Sequence, residues 1–256
     1  MAGVVEVVEA PCPYATPAYW NERYRAAAEA DAESERDART FEWLADAEEA
    51  RRLVRTTAAG ARLVELGCGN STVAEGMAMA GFDVLAVDFS ERCVAMMEER
   101  RDELNAARAA PLTLRFAVAD CRDLGAQVAA ASADVVFDKG LVDAVLNEHD
   151  QHAWFEKCNA RKQPPPPNPY DGPGSAADAR RVVAEAARIL KDGGEFVVVS
   201  YEPPAGRLKF FDDADVWMAD ANTPYEDERG NFVYRFYRRR RRATGAEDTV
   251  DELGMD

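Results

Sequence analysis

Residues 64–71 read Val-Glu-Leu-Gly-Cys-Gly-Asn-Ser, an apolar run that passes through two glycines into a helix pattern. A strand that feeds a helix through so short a turn packs back on its own sheet as the start of a right-handed β-α-β crossover. The expected architecture is therefore a parallel sheet with helices on both faces. The downstream pattern agrees. Strands are predicted at 62–66, 83–87, 112–118, 133–137 and 195–200, and helices at 72–80, 90–106, 140–147 and 176–190. The last helix has Ser175 as an N-cap, a stripe of Val182, Val183, Ala186 and Leu190, and a stop at Gly193-Gly194. Candidates at 214–219 and 231–237 have no helix between them, which predicts an antiparallel hairpin closing the sheet. Upstream, Thr16-Pro17 opens a predicted helix over 17–36 with Trp20 and Tyr24 on one face, and a second helix is predicted over 41–55.

The glycine turn also carries chemistry. Gly67 and Gly69 let the chain bend sharply and let a ligand lie against bare main chain where a helix begins, which points to a nucleotide-like molecule. Asp88 ends the second predicted strand, where a carboxylate accepts hydrogen bonds from both hydroxyls of a ribose. That position suits a nicotinamide dinucleotide or S-adenosylmethionine. Thr72 stands where the dinucleotide fingerprint needs Gly or Ala, and no Tyr is followed four residues later by Lys, as one class of reductase requires. Asp120 and Cys121 follow the third strand, where a carboxylate and a backbone N–H can meet an adenine edge. S-adenosylmethionine is preferred.

Composition removes other classes. Of 256 residues, 47% are hydrophobic and 30% charged, which is globular, and the net charge of −16 disfavours general nucleic-acid binding and favours a basic partner. The cysteines at 12, 68, 93, 121 and 158 are odd in number with no C-x-x-C, so neither a disulfide framework nor a zinc knuckle is expected. His149-x-x-His152 is read as an exposed loop or helix end rather than a metal pair, and no metal is expected. No apolar run is long enough to span a membrane, and acids stand where a secretion signal needs Lys or Arg, so a soluble, cytoplasmic protein is expected. The layout is an extension at 1–15, one domain over 16–242 interrupted by a proline-rich loop at 163–174, and an acidic tail at 243–256. The run Arg238 to Arg242 is read as a solvated strand end or a contact of that tail.

Four motifs in order, Tyr19-Trp20-Asn21-Glu22-Arg23-Tyr24, Phe41-Glu42-Trp43, Leu66-Gly67-Cys68-Gly69-Asn70-Ser71 and Asp138-Lys139-Gly140-Leu141-Val142-Asp143-Ala144, resemble those of the class I S-adenosylmethionine-dependent methyltransferases. Within that family they are similar to the group that includes the lysine methyltransferases of translation elongation factor 1-alpha, over residues 18–201. Asp138 and Val142 differ from the group's usual Glu-Lys-Gly-Thr-Leu-Asp-Ala, and Phe89 stands where Tyr is common.

The resemblance implies a three-layer, Rossmann-like seven-strand sheet with N-terminal helices over the cofactor site, and methyl transfer to a protein lysine. It implies that Trp20, Tyr24 and Trp43 line the cofactor site, that Gly67 and Gly69 form its turn, and that Asp88 and Phe89 hold the ribose and flank the adenine. It also implies that Asp120 and Cys121 meet the adenine edge and that Asp138 sits near the methionine part. Asp138 and Asp143 are the candidate catalytic acids, and Lys139 is expected to pair with one of them. A small-molecule acceptor with the proline-rich loop as a lid, and a binding scaffold without turnover, remain as alternatives.

Overall fold

The β-branched runs and the helical stretches between them fold as their periodicities require. The computed structural model describes residues 17–29, 40–146 and 173–240. The parallel strands are β1 (Arg62–Leu66), β2 (Asp83–Asp88), β3 (Leu114–Val118), β4 (Ala133–Lys139) and β5 (Leu190–Ser200). Three more follow, β6 (Trp217–Ala219), the two-residue β7 (Tyr225–Glu226) and β8 (Phe232–Arg238). The sheet order is β3-β2-β1-β4-β5-β8-β6, with β7 also on β8. Strand β8 runs antiparallel between β5 and β6, so the expected hairpin inserts its second strand into the sheet and leaves β6, with the short β7, outside it.

Strand alternation splits the core in two. Val64, Leu66, Val136 and Val198 face one side, beneath α5 (Leu141–Leu146) and α6 (Pro173–Ile189). Leu63, Val135, Phe137, Val197 and Val199 face the other, beneath α2 (Ala47–Leu53), α3 (Val73–Met79) and α4 (Glu91–Ala106). Each such side chain contributes about 1.5–3 kcal/mol by leaving water. The stripe on α6 buries Val182, Val183 and Ala186 as its period requires. Leu190, expected to end that helix, instead opens β5, where it pairs with Ala133.

The N-terminal region departs most from expectation. Helix α1 is Pro17–Glu29, and the predicted continuation to 36 lies outside the described residues. The predicted helix over 41–55 is α2 alone. Asp46 caps it by accepting from the Glu49 N–H at 3.0 Å while the Glu49 carboxylate accepts from the Asp46 N–H at 3.3 Å, and this reciprocal box sets the start. Residues 41–46 are irregular, with Leu44 at φ 67°. The short helix α7 (Pro204–Arg207) follows β5. Cys12, His149, His152, Cys158, most of the proline-rich stretch and the acidic tail lie outside the described residues. No helix among the described residues is long and apolar enough to cross a membrane.

Candidate functional site

Five segments end in sequence along the carboxyl edge of the sheet, and the register orders their residues. Asp120 follows β3, Asp88 ends β2, Gly67 follows β1, Lys139 ends β4 and Ser200 ends β5. Leu66 pairs with Val87 on one side and Asp138 on the other, so Gly67 lies between the Asp88 and Lys139 positions. A cavity of about 320 Å3 opens over this edge. Of the residues expected in the site, Trp20, Tyr24, Trp43, Gly67, Asp88, Phe89, Asp120 and Cys121 line it. Gly69, Asp138 and Asp143 do not.

Both turn glycines need their conformational freedom. Gly67 and Gly69 have φ of 61° and 53°, a region that costs other residues roughly 1 kcal/mol or more. A Cβ on Gly67 would lie 3.0 Å from Leu141 Cδ1, and one on Gly69 would lie 3.1 Å from the Tyr24 hydroxyl. Gly69 thus serves the site indirectly, since its N–H donates to Asp88 Oδ2 at 3.0 Å, while the Ser90 N–H donates to Oδ1 at 3.0 Å. These bonds hold the Asp88 carboxylate at the cavity wall with acceptor capacity to spare. Burial raises its pKa to about 6, against the pull of the N–H groups.

The helix start beyond the turn is already occupied by the protein. The Glu42 carboxylate accepts from the Ser71 hydroxyl at 2.7 Å and from the Thr72 N–H at 2.6 Å. In a dinucleotide site a pyrophosphate takes these donors. Glu42 stands there instead, which favours a ligand without a diphosphate.

At the β3 end, Arg122 grips the Asp120 carboxylate through Nε at 2.9 Å and Nη2 at 2.7 Å and reaches Asp178 of α6 through Nη1 at 2.6 Å. The guanidinium keeps the Asp120 carboxyl below its ordinary pKa. The sequence reading assigned Asp120 and missed Arg122 and Asp178, both of which line the cavity. No motif marks such a clasp. Cys121 is buried with its thiol pKa pushed up by desolvation.

The aromatic residues act in pairs. Trp20 stacks on Tyr24 at 6.0 Å between ring centroids, and Trp43 lies 6.4 Å from Tyr201 at the end of β5. Trp43 also covers Gly140, where a Cβ would meet its ring at 3.0 Å.

The two acids expected to catalyse are directed elsewhere. Asp138 is fully buried and accepts from the N–H groups of Leu141 at 2.7 Å and Val142 at 3.2 Å, which makes it the cap of α5. Burial, with the Asp143 charge adding to it, raises its pKa to about 7. Asp143 pairs with the fully buried Arg207, accepts from the Ser200 hydroxyl at 2.6 Å and from the Tyr201 N–H at 3.2 Å. Lys139 pairs with neither acid. It sits on the opposite face of the sheet, with its ammonium 3.7 Å from Glu42. Beside it Glu65, also overlooked in the sequence, is 1% exposed, and neither carboxylate oxygen accepts a hydrogen bond among the described residues. Burial raises the Glu65 pKa to about 8, opposed by the Lys139 charge. Among the described residues no cluster of metal-ligating side chains occurs.

Comparison with known proteins places this geometry. Residues 58–231 match the family model described as a methyltransferase domain. EEF1A lysine methyltransferase 4 from Bos taurus is 28% identical over 99% of this chain and 85% of its own length. The mitochondrial citrate synthase-lysine N-methyltransferase CSKMT from Pongo abelii is 28% identical over 66% of this chain and 65% of its own. Among solved structures, the magnesium protoporphyrin IX methyltransferase ChlM from Synechocystis PCC 6803 with bound SAM is similar at a TM-score of 0.52 and 14% identity, over 90% of this chain and 99% of that one. The putative methyltransferase in complex with the Haloferax volcanii Trm112 activator gives 0.55 and 17%, over 86% and 98%.

Proposed function

The chain belongs to the methyltransferase-domain family, and from that premise we propose that it uses S-adenosylmethionine to methylate a lysine side chain of a basic protein, of the elongation-factor type, in the cytosol. The observation that carries the cofactor's placement is the single cavity wall on which Asp88, Phe89, Asp120, Cys121 and Gly67 meet the aromatic residues of the N-terminal segment. The lysine acceptor is supported by the relatives named as lysine methyltransferases and by the charge of −16, which attracts a basic substrate.

In this reading the Asp88 carboxylate receives the ribose hydroxyls, Phe89 flanks the base, and Cys121 offers its backbone N–H to the adenine edge. The Arg122 clasp holds Asp120 in place beside the base. When bound, S-adenosylmethionine would supply a sulfonium-activated methyl carbon open to in-line displacement by a neutral amine. The faces of Trp20 and Trp43 complement a cation by about 0.5–2 kcal/mol each. An acceptor ammonium must first lose a proton, which from a free-lysine pKa of about 10.4 costs about 4–5 kcal/mol at pH 7. Trp43, Leu141, Ala144 and Val145 line the cavity with apolar surface that disfavours the charged amine. Asp138 holds the start of α5 through the Leu141 and Val142 N–H groups, Asp143 with Arg207 holds the end of β5 at Ser200 and Tyr201, and the proton leaves to water.

Mass spectrometry of lysate proteins after incubation with a deuterated-methyl cofactor tests the proposal. A labelled lysine on a discrete basic protein is the expected result. Label confined to the low-mass fraction, or no transfer despite cofactor binding, overturns the acceptor assignment.

A further inference from the structure

We propose, on the reading of this cavity as the S-adenosylmethionine site, that Glu42 is a positioning residue that fastens residues 40–46 to the glycine turn and so holds Trp43 on the cavity wall. Residues 40–46 form neither helix nor strand, so no regular ladder of backbone hydrogen bonds holds them. Leu44 among them has φ of 67°, a left-handed conformation that leucine rarely adopts. Such a segment keeps one shape only where its surroundings pin it. Glu42 supplies the pin at one end. Its Oε1 accepts from the Thr72 N–H at 2.6 Å and the Thr72 hydroxyl at 2.5 Å, and its Oε2 accepts from the Ser71 hydroxyl at 2.7 Å. The neighbouring contacts are longer, with the Phe41 N–H 3.3 Å from the Asn70 carbonyl and Arg100 Nη1 3.3 Å from the Thr40 hydroxyl. At the far side Asn231 Nδ2 donates to the Leu44 carbonyl at 3.1 Å. Trp43 lies between these fixed points.

The ring so placed covers Gly140, where a Cβ would lie 3.0 Å from Trp43 Cε3 and 3.2 Å from Leu44 Cδ1. Trp43 lines the cavity and Glu42 does not. Whatever Glu42 contributes to a bound ligand therefore passes through Trp43 or through the turn. Its anchoring role also differs from its charge. The Lys139 ammonium, at 3.7 Å, is beyond hydrogen-bond length, whereas the bonds to Ser71 and Thr72 need acceptor atoms in place rather than a net charge. A glutamine carbonyl can take both Thr72 donors while its amide donates to the Ser71 oxygen.

A double-mutant cycle, read by calorimetric binding of S-adenosylmethionine without an acceptor, tests the assignment. W43A is expected to weaken binding by about fivefold to thirtyfold, the worth of an aromatic face against a desolvated cation. E42A is expected to lose a similar factor, and E42A/W43A to bind within about twofold of W43A alone. E42Q is expected to recover most of the E42A loss. Losses that multiply in the double variant would place the effect in the turn and overturn the proposal. Unchanged binding in E42A or in W43A, or E42Q as weak as E42A, overturns it too. Should E42A fail to fold, T72V removes a donor from the other end of the contact. A loss of about threefold that vanishes in the W43A background is expected, and no loss, or one that persists there, overturns the proposal. Amide exchange on the ligand-free protein separates this from the cofactor reading. Residues 40–46 are expected to exchange at least about tenfold faster in E42A with α4 unchanged, and unchanged exchange at 40–46 overturns the proposal. Faster exchange supports the anchor even where the unaltered protein binds no S-adenosylmethionine, a result that counts against the cofactor reading alone.

Discussion

Two buried acids on one face of the sheet meet opposite fates. Glu195, near the start of β5, accepts from the Thr56 N–H at 2.8 Å and the Arg55 N–H at 3.3 Å, and pairs with Arg235 at 3.4 Å. Arg235 reaches Asp220 at 3.2 Å, and Arg55 joins that carboxylate at 2.5 Å. Glu65, near the end of β1, is equally buried and accepts no hydrogen bond among the described residues. Hydrogen-bonded charge at the amino-terminal end of β5 ties strands to helix α2, whereas near the carboxyl edge the Glu65 carboxyl is buried with no hydrogen-bond partner among the described residues, beside Lys139 of the cavity wall. The first region stabilises the fold, and the second leaves a buried polar group unsatisfied at some cost in stability.

Breaking the first region gives the largest effect. Arg235→Met strips the counter-charge from Glu195 and Asp220 and is expected to cost about 3–5 kcal/mol in urea denaturation. In the second region Asp88→Asn is expected to weaken S-adenosylhomocysteine binding by about tenfold to a hundredfold, read by calorimetry, with no comparable loss in unfolding free energy. A neutral fold with intact binding would remove Asp88 from the site.

Glu65→Gln sharpens the contrast through pH. In the unfolded chain this carboxyl ionises near 4.5, and in the folded protein near 8, so the native state holds an extra proton between those values. Stability then falls as pH rises through that window, and Asp138 at about 7 and Asp88 at about 6 act in the same direction. The Gln variant of the ligand-free protein is expected to gain about 3–4 kcal/mol at pH 8.5 relative to pH 5 and to show a flatter profile, measured by denaturation at each pH. An unchanged slope would show that Glu65 is not the group responsible. The smallest effect belongs to Asp46→Ala, which opens the capping box of α2 and is expected to cost about 1 kcal/mol without altering cofactor binding.

Much of the site was legible because strand ends are local features. Asp88, Asp120 and Gly67 follow apolar runs of strand length, and a parallel sheet brings the ends of such runs to one edge. The start of α2 was readable as well, from Asp46-x-x-Glu49, although the wider aromatic pattern over 41–55 concealed it. Glu42 was visible only as part of a motif, because its partners lie about thirty residues on. Arg238 and Arg239 proved to be strand-end residues, with Arg238 Nε on the Ala187 carbonyl at 3.1 Å and Arg239 Nε on the Trp217 carbonyl at 3.1 Å.

From the chain alone came the parallel sheet, the glycine turn and the acids at the ends of β2 and β3, since period and turn chemistry act over a few residues. Tertiary structure decided the ion pairs. Asp143 and Arg207 stand 64 residues apart, and Asp138 and Lys139, although adjacent, face opposite sides of the sheet because side chains alternate along a strand. That alternation turns Asp138 into a helix cap and leaves Lys139 at the cavity, an outcome set by which face each packed segment covers.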